Sequence, residues 1–360
     1  LLTLLARFDA AEEALNKSLE LSRLLEDRAG ERNALRSVGF MRWHQGKNEE
    51  AISMNEKALS IDRERGDTEA VATDLTNLGS VLRNHGNHAA ALKCLEEALQ
   101  LYDQIEDPVK HAAALHLSGN VHRDLGNSEE AMHYMQAAMA VSTRYKLVIM
   151  QSFHLTSLAN MCWQQGKMKE CLDMQKKAVE INRKSRYADG LANSLRMVGE
   201  TLQNMERDPE ALPYFQEAAS LFSSLKDYRN ESHLWSKIAL IHENQSLWSE
   251  ALQALEKLKG LYEFQENRTK IAETAEQMAA LSRKQGNIER AIGHYREAIQ
   301  AREMLGQSDA VAGNLNSVGI LEWQTGNYAA ALEDYQKALE IFQSRNDEVH
   351  EGLDPQQYWT

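Results

Sequence analysis

The sequence is poor in proline, the residue that most strongly interrupts helices, with only four in 360 residues. An average protein holds about 5% proline, so this shortage predicts a mostly helical chain. The three cysteines, an odd number without a CxxC spacing, argue against a disulfide framework and favour a reducing, cytoplasmic compartment. No run approaches about 18 apolar residues, so we expect no membrane-spanning helix.

The sequence also lacks the short motifs that mark common catalytic and cofactor sites. It contains no GxxxxGK[ST], GxGxxG, HExxH or GxSxG. His85 and His88 flank one turn without the further ligands that a metal needs, and Cys162 and Cys171 fall at helix-packing positions. We therefore predict no enzyme, no cofactor and no metal site. An excess of 53 acidic over 40 basic residues, a net charge of −13, makes nucleic acid and anionic membranes poor partners.

What the sequence does contain is a period of 40 residues that runs through the whole chain. A glycine recurs at one position of the period, at Gly46, Gly86, Gly126, Gly166, Gly286 and Gly326. The two missing positions hold Glu206 and Ser246. Because glycine tolerates a left-handed backbone, this position predicts the turn after a helix.

Apolar residues on either side of each glycine follow a helical spacing, so each period predicts two helices, here called helix A and helix B. Asp107-Pro108 and Asp208-Pro209 are typical of an N-cap followed by the first helical residue. Pro213 falls inside a predicted helix B and should kink or delay it.

Small residues recur at fixed places in each period, and their pattern resembles the tetratricopeptide repeat. Gly39, Ala51 and Ala58 have the family's spacing, and matching residues recur through eight repeats. The period of 40 residues exceeds the usual ~34; it resembles the longer-repeat subclass of the Pins/LGN adaptors and many bacterial signalling proteins. The resemblance implies an all-α fold, a right-handed superhelix of about eight helix–turn–helix repeats plus a partial N-terminal repeat.

We expect a single solenoid over residues 1–346, with a partial repeat at 7–26. Full repeats are expected to start near residues 27, 67, 107, 147, 187, 227, 267 and 307. Residues 347–360 are expected to hold a truncated next helix and a tail, Asp354–Thr360, that matches no repeat. This tail is either an artificial addition or a peptide able to dock in a groove. Missing polar caps at both ends indicate a piece of a larger protein.

The resemblance implies that helix A of each repeat lines a concave groove. Asparagine can hydrogen bond to a peptide backbone in both directions, arginine binds carboxylates through two parallel bonds, and tryptophan offers a large rigid contact. The predicted partner-binding residues are Arg36, Phe40, Trp43, Asn77, Arg83, His116, Asn120, Arg123, Asn160, Trp163, Asn193, Arg196, Gln203, Asn316 and Trp323. Glu243, Glu273 and Glu276 appear only in later repeats, so the groove is expected to change from basic to acidic.

These residues also have structural interpretations. The asparagines could simply be solvated, and Trp43, Trp163 and Trp323 could be a recurring packing position between repeats. The arginines could form surface ion pairs with acids on adjacent helices, each worth about 0–1 kcal/mol.

The sequence favours a non-enzymatic scaffold that binds an extended or helical segment of a partner protein. The isolated chain is expected to be monomeric. The alternative is a regulatory or sensor module of a larger signalling protein, such as an ATPase, a cyclase or a transcription regulator, with an intramolecular or small-effector ligand.

Overall fold

A computed structural model describes residues 8–351, which form 17 helices and no strand. The all-α prediction is thus confirmed for this part of the chain. The helices group into two compact units that divide between Tyr187 and Ala188. The expectation of one solenoid over residues 1–346 concerns both units together and stays a prediction.

In each full repeat, helix A precedes helix B. The A helices of unit 1 are α2 (Arg28–His44), α4 (Thr68–Asn84), α6 (Pro108–Asp124) and α8 (Val148–Gln164). Its B helices are α1 (Phe8–Leu24), α3 (Asn48–Arg65), α5 (His88–Tyr102), α7 (Ser128–Arg144) and α9 (Met168–Ser185). The A helices of unit 2 are α10 (Ala188–Asn204), α12 (Tyr228–Asn244), α14 (Arg268–Lys284) and α16 (Ser308–Gln324). Its B helices are α11 (Asp208–Ser224), α13 (Trp248–Phe264), α15 (Ile288–Met304) and α17 (Tyr328–Glu351).

The turns from helix A to helix B use a left-handed residue, as the glycine period predicts. Gly166 has φ of +74°, and the two departures, Glu206 and Ser246, are both held at +58°. A side chain in this region carries a steric cost that glycine avoids, so these two turns are maintained by the packing of their flanking helices.

Helix starts follow local capping chemistry. The Asp107 carboxylate accepts a hydrogen bond from the Lys110 backbone N–H at 3.0 Å, and Pro108 opens α6 as predicted. The predicted N-cap role of Asp208 is wrong: the N-cap is Arg207, and Pro209 is the second helical residue. Pro213 lies inside α11 without delaying its start, because Asp208 already begins the helix.

Small residues let helices A and B of one repeat approach closely. A methyl group at Gly199 would lie 2.4 Å from the Phe215 ring, and one at Gly79 would lie 2.9 Å from Leu95. Phe215 and Leu95 are fully buried, so the glycines make room for large core side chains. Within each unit, every helix packs on its predecessor and its successor. The expected boundary near residue 347 falls inside α17, which continues to Glu351, and the tail Asp354–Thr360 lies outside the described residues.

Candidate functional site

Each helix A leaves one stripe of side chains exposed or half-exposed, at successive spacings of four, three and four residues. In unit 1 the stripe comprises Asn33, Ser37, Phe40, His44, Thr73, Asn77, Ser80, Asn84, Ala113, Leu117, Asn120, Asp124, Phe153, Ser157, Asn160 and Gln164. We call these residues, together with the half-exposed Trp43, Arg83, Arg123 and Trp163 beside them, the helix-A face of unit 1. This spacing follows from 3.6 residues per turn, and it keeps the stripe out of the core.

An aromatic cluster occupies the α2 end of this face. The Phe40 ring centroid lies 5.9 Å from that of Trp43 and 4.4 Å from that of His44, and the Trp43 and His44 centroids are 4.6 Å apart. Phe40 is 48% exposed although it is a large apolar residue. Clustered, solvent-facing aromatic rings are typical of a surface that binds another molecule.

Two arginines on the helix-A face share one carboxylate. Arg83 Nε on α4 lies 2.6 Å from Asp124 Oδ2 on α6, and Arg123 Nη2 lies 3.6 Å from Asp124 Oδ1. This pairing matches the alternative interpretation of arginines as bridges between adjacent helices. One positive charge nevertheless remains without a compensating acid in this group of three.

The predicted asparagines of unit 1 differ little in placement. Asn77 and Asn160 are exposed and Asn120 is half-exposed, all on the helix-A face.

Trp163 is partly used in packing, since it contacts the buried cluster that contains Cys162. Burial raises the pKa of the Cys162 thiol, which makes it a poor nucleophile.

Arg36, predicted to bind a partner, makes its contacts inside the fold. Its guanidinium bonds to Asp74 on α4 and lies 3.0 Å from Asp62 on α3. Both carboxylate side chains are 0% exposed. Burial raises the pKa of Asp74 to about 6, although Arg36 acts in the opposite direction. The three residues lock one repeat onto the next.

His116, also predicted to bind a partner, points between repeats as well. Its Nδ1 lies 2.8 Å from Nδ1 of His154, whose Nε2 lies 3.0 Å from Ser142 Oγ. One Nδ1 must donate and the other accept, so the two neutral rings are in opposite tautomers. Burial, with Arg123 and Arg83 close by, lowers the pKa of His116 to about 4. Burial likewise lowers the pKa of His154 to about 4.

We call each of these groups, Arg36 with Asp62 and Asp74 and His116 with Ser142 and His154, a lock between repeats. The two locks occupy the same three positions in different repeats. His116, Ser142 and His154 each follow their counterparts Arg36, Asp62 and Asp74 by 80 residues. In unit 2 the same places hold Glu276, Arg302 and Asn314.

The unit 2 lock reverses the charges of the first one. Arg302 Nη2 lies 3.0 Å from Glu276 Oε2, and Asn314 Nδ2 donates to Glu276 Oε1 at 2.9 Å. The carboxylate now sits on helix A and the guanidinium on helix B. The sequence contained a signal for these locks. Each lock has a polar residue on helix A and two further polar residues that follow it by 26 and 38 positions.

The predicted site residues of unit 2 are only partly available to a partner. Asn193 donates to the Asp189 carbonyl at 3.0 Å, and Gln203 accepts from Lys237 at 3.0 Å. Arg196 pairs with Glu200 at 2.9 Å. Asn316 is exposed, and Trp323 is 60% exposed.

The acids expected to make later repeats negative are each paired. Glu243 lies 2.7 Å from Lys284, Glu273 lies 2.7 Å from Lys270, and Glu276 belongs to the lock. Each of these acids thus has a cationic partner, and the expected change of the groove from basic to acidic stays a prediction.

The sequence-based prediction missed the last position of the stripe on each helix A of unit 1. His44, Asn84, Asp124 and Gln164 lie four residues after Phe40, Ser80, Asn120 and Asn160, and all four are exposed. Continuing the helical spacing by one step would have found them.

The described residues offer little other chemistry. They contain no group of three or more potential metal ligands. None of the helices they form combines the length and the apolar character needed to cross a membrane. Cys94, Cys162 and Cys171 form no disulfide.

The sequence profile of the tetratricopeptide repeat matches residues 1–64, 67–144, 151–224 and 270–344. Since these matches cover most of the chain, the protein belongs to the tetratricopeptide-repeat family. No curated protein matches the sequence.

Several solved structures share the fold at low identity. The apo form of RapI has 15% identity and a TM-score of 0.53 over 77% of this chain and 99% of that one. Aspartyl phosphate phosphatase F from Bacillus subtilis has 15% identity and a TM-score of 0.57 over 79% and 74%. A signal transduction ATPase with a tetratricopeptide repeat sensor from Pyrococcus horikoshii has 13% identity and a TM-score of 0.51, over 96% of this chain and 55% of that one. At these identities the likeness concerns the fold alone.

Proposed function

We propose that the protein is an interaction scaffold whose helix-A face in unit 1 binds an extended or helical peptide segment of a partner protein. One observation carries this proposal. Of the unit 1 residues that the sequence selects, Arg36 and His116 contact buried residues of the next repeat, whereas the others lie exposed or half-exposed on the helix-A face. That surface combines aromatic, amide and cationic groups.

Each kind of side chain has a role in this proposal. Asn77, Asn120 and Asn160 hydrogen bond to the peptide backbone, because an amide group both donates and accepts. The aromatic cluster around Phe40 receives an apolar side chain of the peptide.

Arg83 and Arg123 bind an acidic side chain. A peptide carboxylate that approaches them meets two guanidinium groups and only one competing acid, Asp124. The surplus charge favours an acidic peptide, although the whole chain is negative at −13. Such binding should weaken as salt screens the charges.

In unit 2 the candidates that remain are Asn316 and Trp323, which are exposed. Arg196 and Gln203 already have internal partners. We assign the unit 2 residues to a separate contact.

The proposal is tested by selecting peptides on an array with the purified chain and measuring the affinity of the best one by fluorescence anisotropy. The double variant Arg83→Glu/Arg123→Glu is expected to lose at least about tenfold in affinity, or about 1.4 kcal/mol. Circular dichroism melting would confirm that the variant is folded.

The matched control is Lys57→Glu/Lys93→Glu, which makes the same charge change at exposed positions of the B helices α3 and α5. It should bind like the original chain. Equal losses in both double variants would mean that only total charge matters, and unchanged binding in the arginine variant would exclude this face.

A further inference from the structure

A cavity of about 430 Å³ lies in unit 2 between α11, α12 and α13. Its floor is formed by the buried Ile238 and Ala254, and its wall by the half-buried Trp235 and His242. These α12 residues lie on the side of the helix opposite to its exposed stripe, so the cavity is separate from the helix-A surfaces. Its volume is within the range of small-ligand sites.

Two departures from the repeat pattern line this cavity. Trp235 stands where most repeats have a buried leucine, such as Leu75 and Leu195, and its larger ring is only half-buried. Ala254 stands where the neighbouring repeats have Tyr214 and His294, so a methyl group replaces a ring on the floor. A groove of about 420 Å³ lies at the corresponding place two repeats later, so this cavity is distinguished by Trp235 and Ala254 in its lining and not by its volume.

Three polar groups around the cavity have no hydrogen-bond or ion-pair partner within residues 11–344. Nδ1 of His242 is buried and makes no hydrogen bond. The ammonium of Lys257 lies 4.1 Å from the Trp235 ring centroid. Neither Lys257 nor Glu250 has an ion-pair partner within residues 11–344. An unsatisfied buried nitrogen costs stability.

The two charged residues set the chemistry of the ligand. Glu250 and Lys257 are seven residues apart on α13, which is two turns and about 10 Å along the same side of the helix. Both line the cavity. Both residues are exposed, and a ligand that pairs with both presents a cationic group to Glu250 and an anionic group to Lys257.

We propose that this cavity is a binding site for a small zwitterion whose ammonium and carboxylate groups are separated by several bonds. The ammonium pairs with Glu250 and the carboxylate with Lys257, while the chain between them lies on Trp235 and Ala254. The binding is non-covalent. Such a site would suit the alternative role of a sensor module with a small effector, and it does not depend on peptide binding in unit 1.

The probe is 6-aminohexanoate, an unbranched molecule with one ammonium and one carboxylate group. Its binding is followed by NMR through the indole N–H signal of Trp235 in the full chain, assigned by its disappearance in Trp235→Phe. The signal is expected to shift saturably. Hexanoate and hexylamine each carry only one charge, and glycine holds its two charges too close together, so all three should bind at least about tenfold more weakly.

Two variants test the assigned charges. Glu250→Gln and Lys257→Gln should each weaken the binding of 6-aminohexanoate about tenfold. Lys337→Gln is the matched control, because Lys337 lies 80 residues later in the corresponding groove, where Ala330 replaces Glu250. It should leave the binding unchanged.

The proposal would be overturned if the Trp235 signal did not move with 6-aminohexanoate at millimolar concentrations. Equal binding of hexanoate would also overturn it, since the site would then recognise a simple anion. A loss of binding in Lys337→Gln as large as that in Lys257→Gln would overturn it too, because the effect would then not be specific to this cavity.

Discussion

Removing the guanidinium of Arg36 should destabilise the first repeats strongly. Arg36 is the cation shared by two carboxylates, Asp62 and Asp74, whose side chains are 0% exposed. Arg36→Met keeps much of the side-chain length but leaves both acids without that partner. We expect local unfolding of α2 to α4 at a much lower denaturant concentration than in the original chain.

The magnitude follows from burial. Removing one partner of a buried ion pair costs about 3–5 kcal/mol, because the remaining charge stays desolvated. Arg32, whose Nη1 lies 3.3 Å from Asp62, compensates part of this cost. Asp74 can compensate another part by taking up a proton, since Arg36 no longer opposes the rise in its pKa. We therefore expect about 3 kcal/mol, the lower end of the range.

Hydrogen exchange measured by mass spectrometry would report this loss repeat by repeat. The control is Arg63→Met, since Arg63 also pairs with an acid of the next repeat, Glu97 at 2.6 Å, but both side chains are about half exposed. That variant should cost about 0–1 kcal/mol. Similar losses in the two variants would refute the reasoning that burial gives the lock its strength.

A transplant tests the same logic in the opposite direction. Combining Arg36→Glu with Asp62→Arg and Asp74→Asn places the lock of unit 2 in unit 1, at the equivalent positions of Glu276, Arg302 and Asn314. This triple variant should be more stable than Arg36→Met, although it changes three residues instead of one. A less stable triple variant would show that the lock depends on its surroundings.

Two further predictions follow. Acidification from about pH 6.5 to 4 should destabilise the fold through His116 and His154, because these histidines take up protons in the unfolded chain before they do so in the folded one. Asp74 acts in the opposite direction, because its pKa is raised to about 6 in the folded chain. As the pH falls over this range, the free energy of unfolding of Asp74→Asn should therefore decrease by up to about 3 kcal/mol more than that of the original chain. Denaturant titrations at each pH would measure this. Parallel curves would contradict the assigned signs. Gly199→Ala should cost about 1–3 kcal/mol because its methyl group meets the Phe215 ring, whereas Gly313→Ala, with nothing within 4 Å, should gain about 0.5–1 kcal/mol. Thermal melting compares the two, and equal effects would contradict the close-approach argument.

Local patterns in the sequence were sufficient to predict the helices and their turns. The glycine period fixes the turn at Gly166, and it also locates the turn at Glu206, where the glycine itself is missing. The placement of small residues predicts the close approach at Gly199. These features depend on residues that are near in sequence or on one helix face.

The use of individual polar side chains was harder to predict. Arg36 and Arg83 both lie on helix A and their side chains are about equally exposed, yet Arg36 pairs with fully buried acids and Arg83 pairs with a partly exposed one. The difference depends on partners that belong to other helices, such as Asp62 and Asp124. Whether an arginine is available to a ligand is therefore decided by the neighbouring repeat.

The locks also restrict how such a chain can be recombined. All repeats have the same length, so a repeat moved to another boundary would keep the period of 40 residues. A junction that placed Glu276 beside Asp74 would bring two carboxylates together between repeats. One repeat after Arg36 and Asp74, the equivalent positions hold Thr76 and Ala114, which carry no charge. Duplicated or exchanged repeats should therefore be tolerated where the residues that meet at the new junction are neutral, and not where they carry like charges.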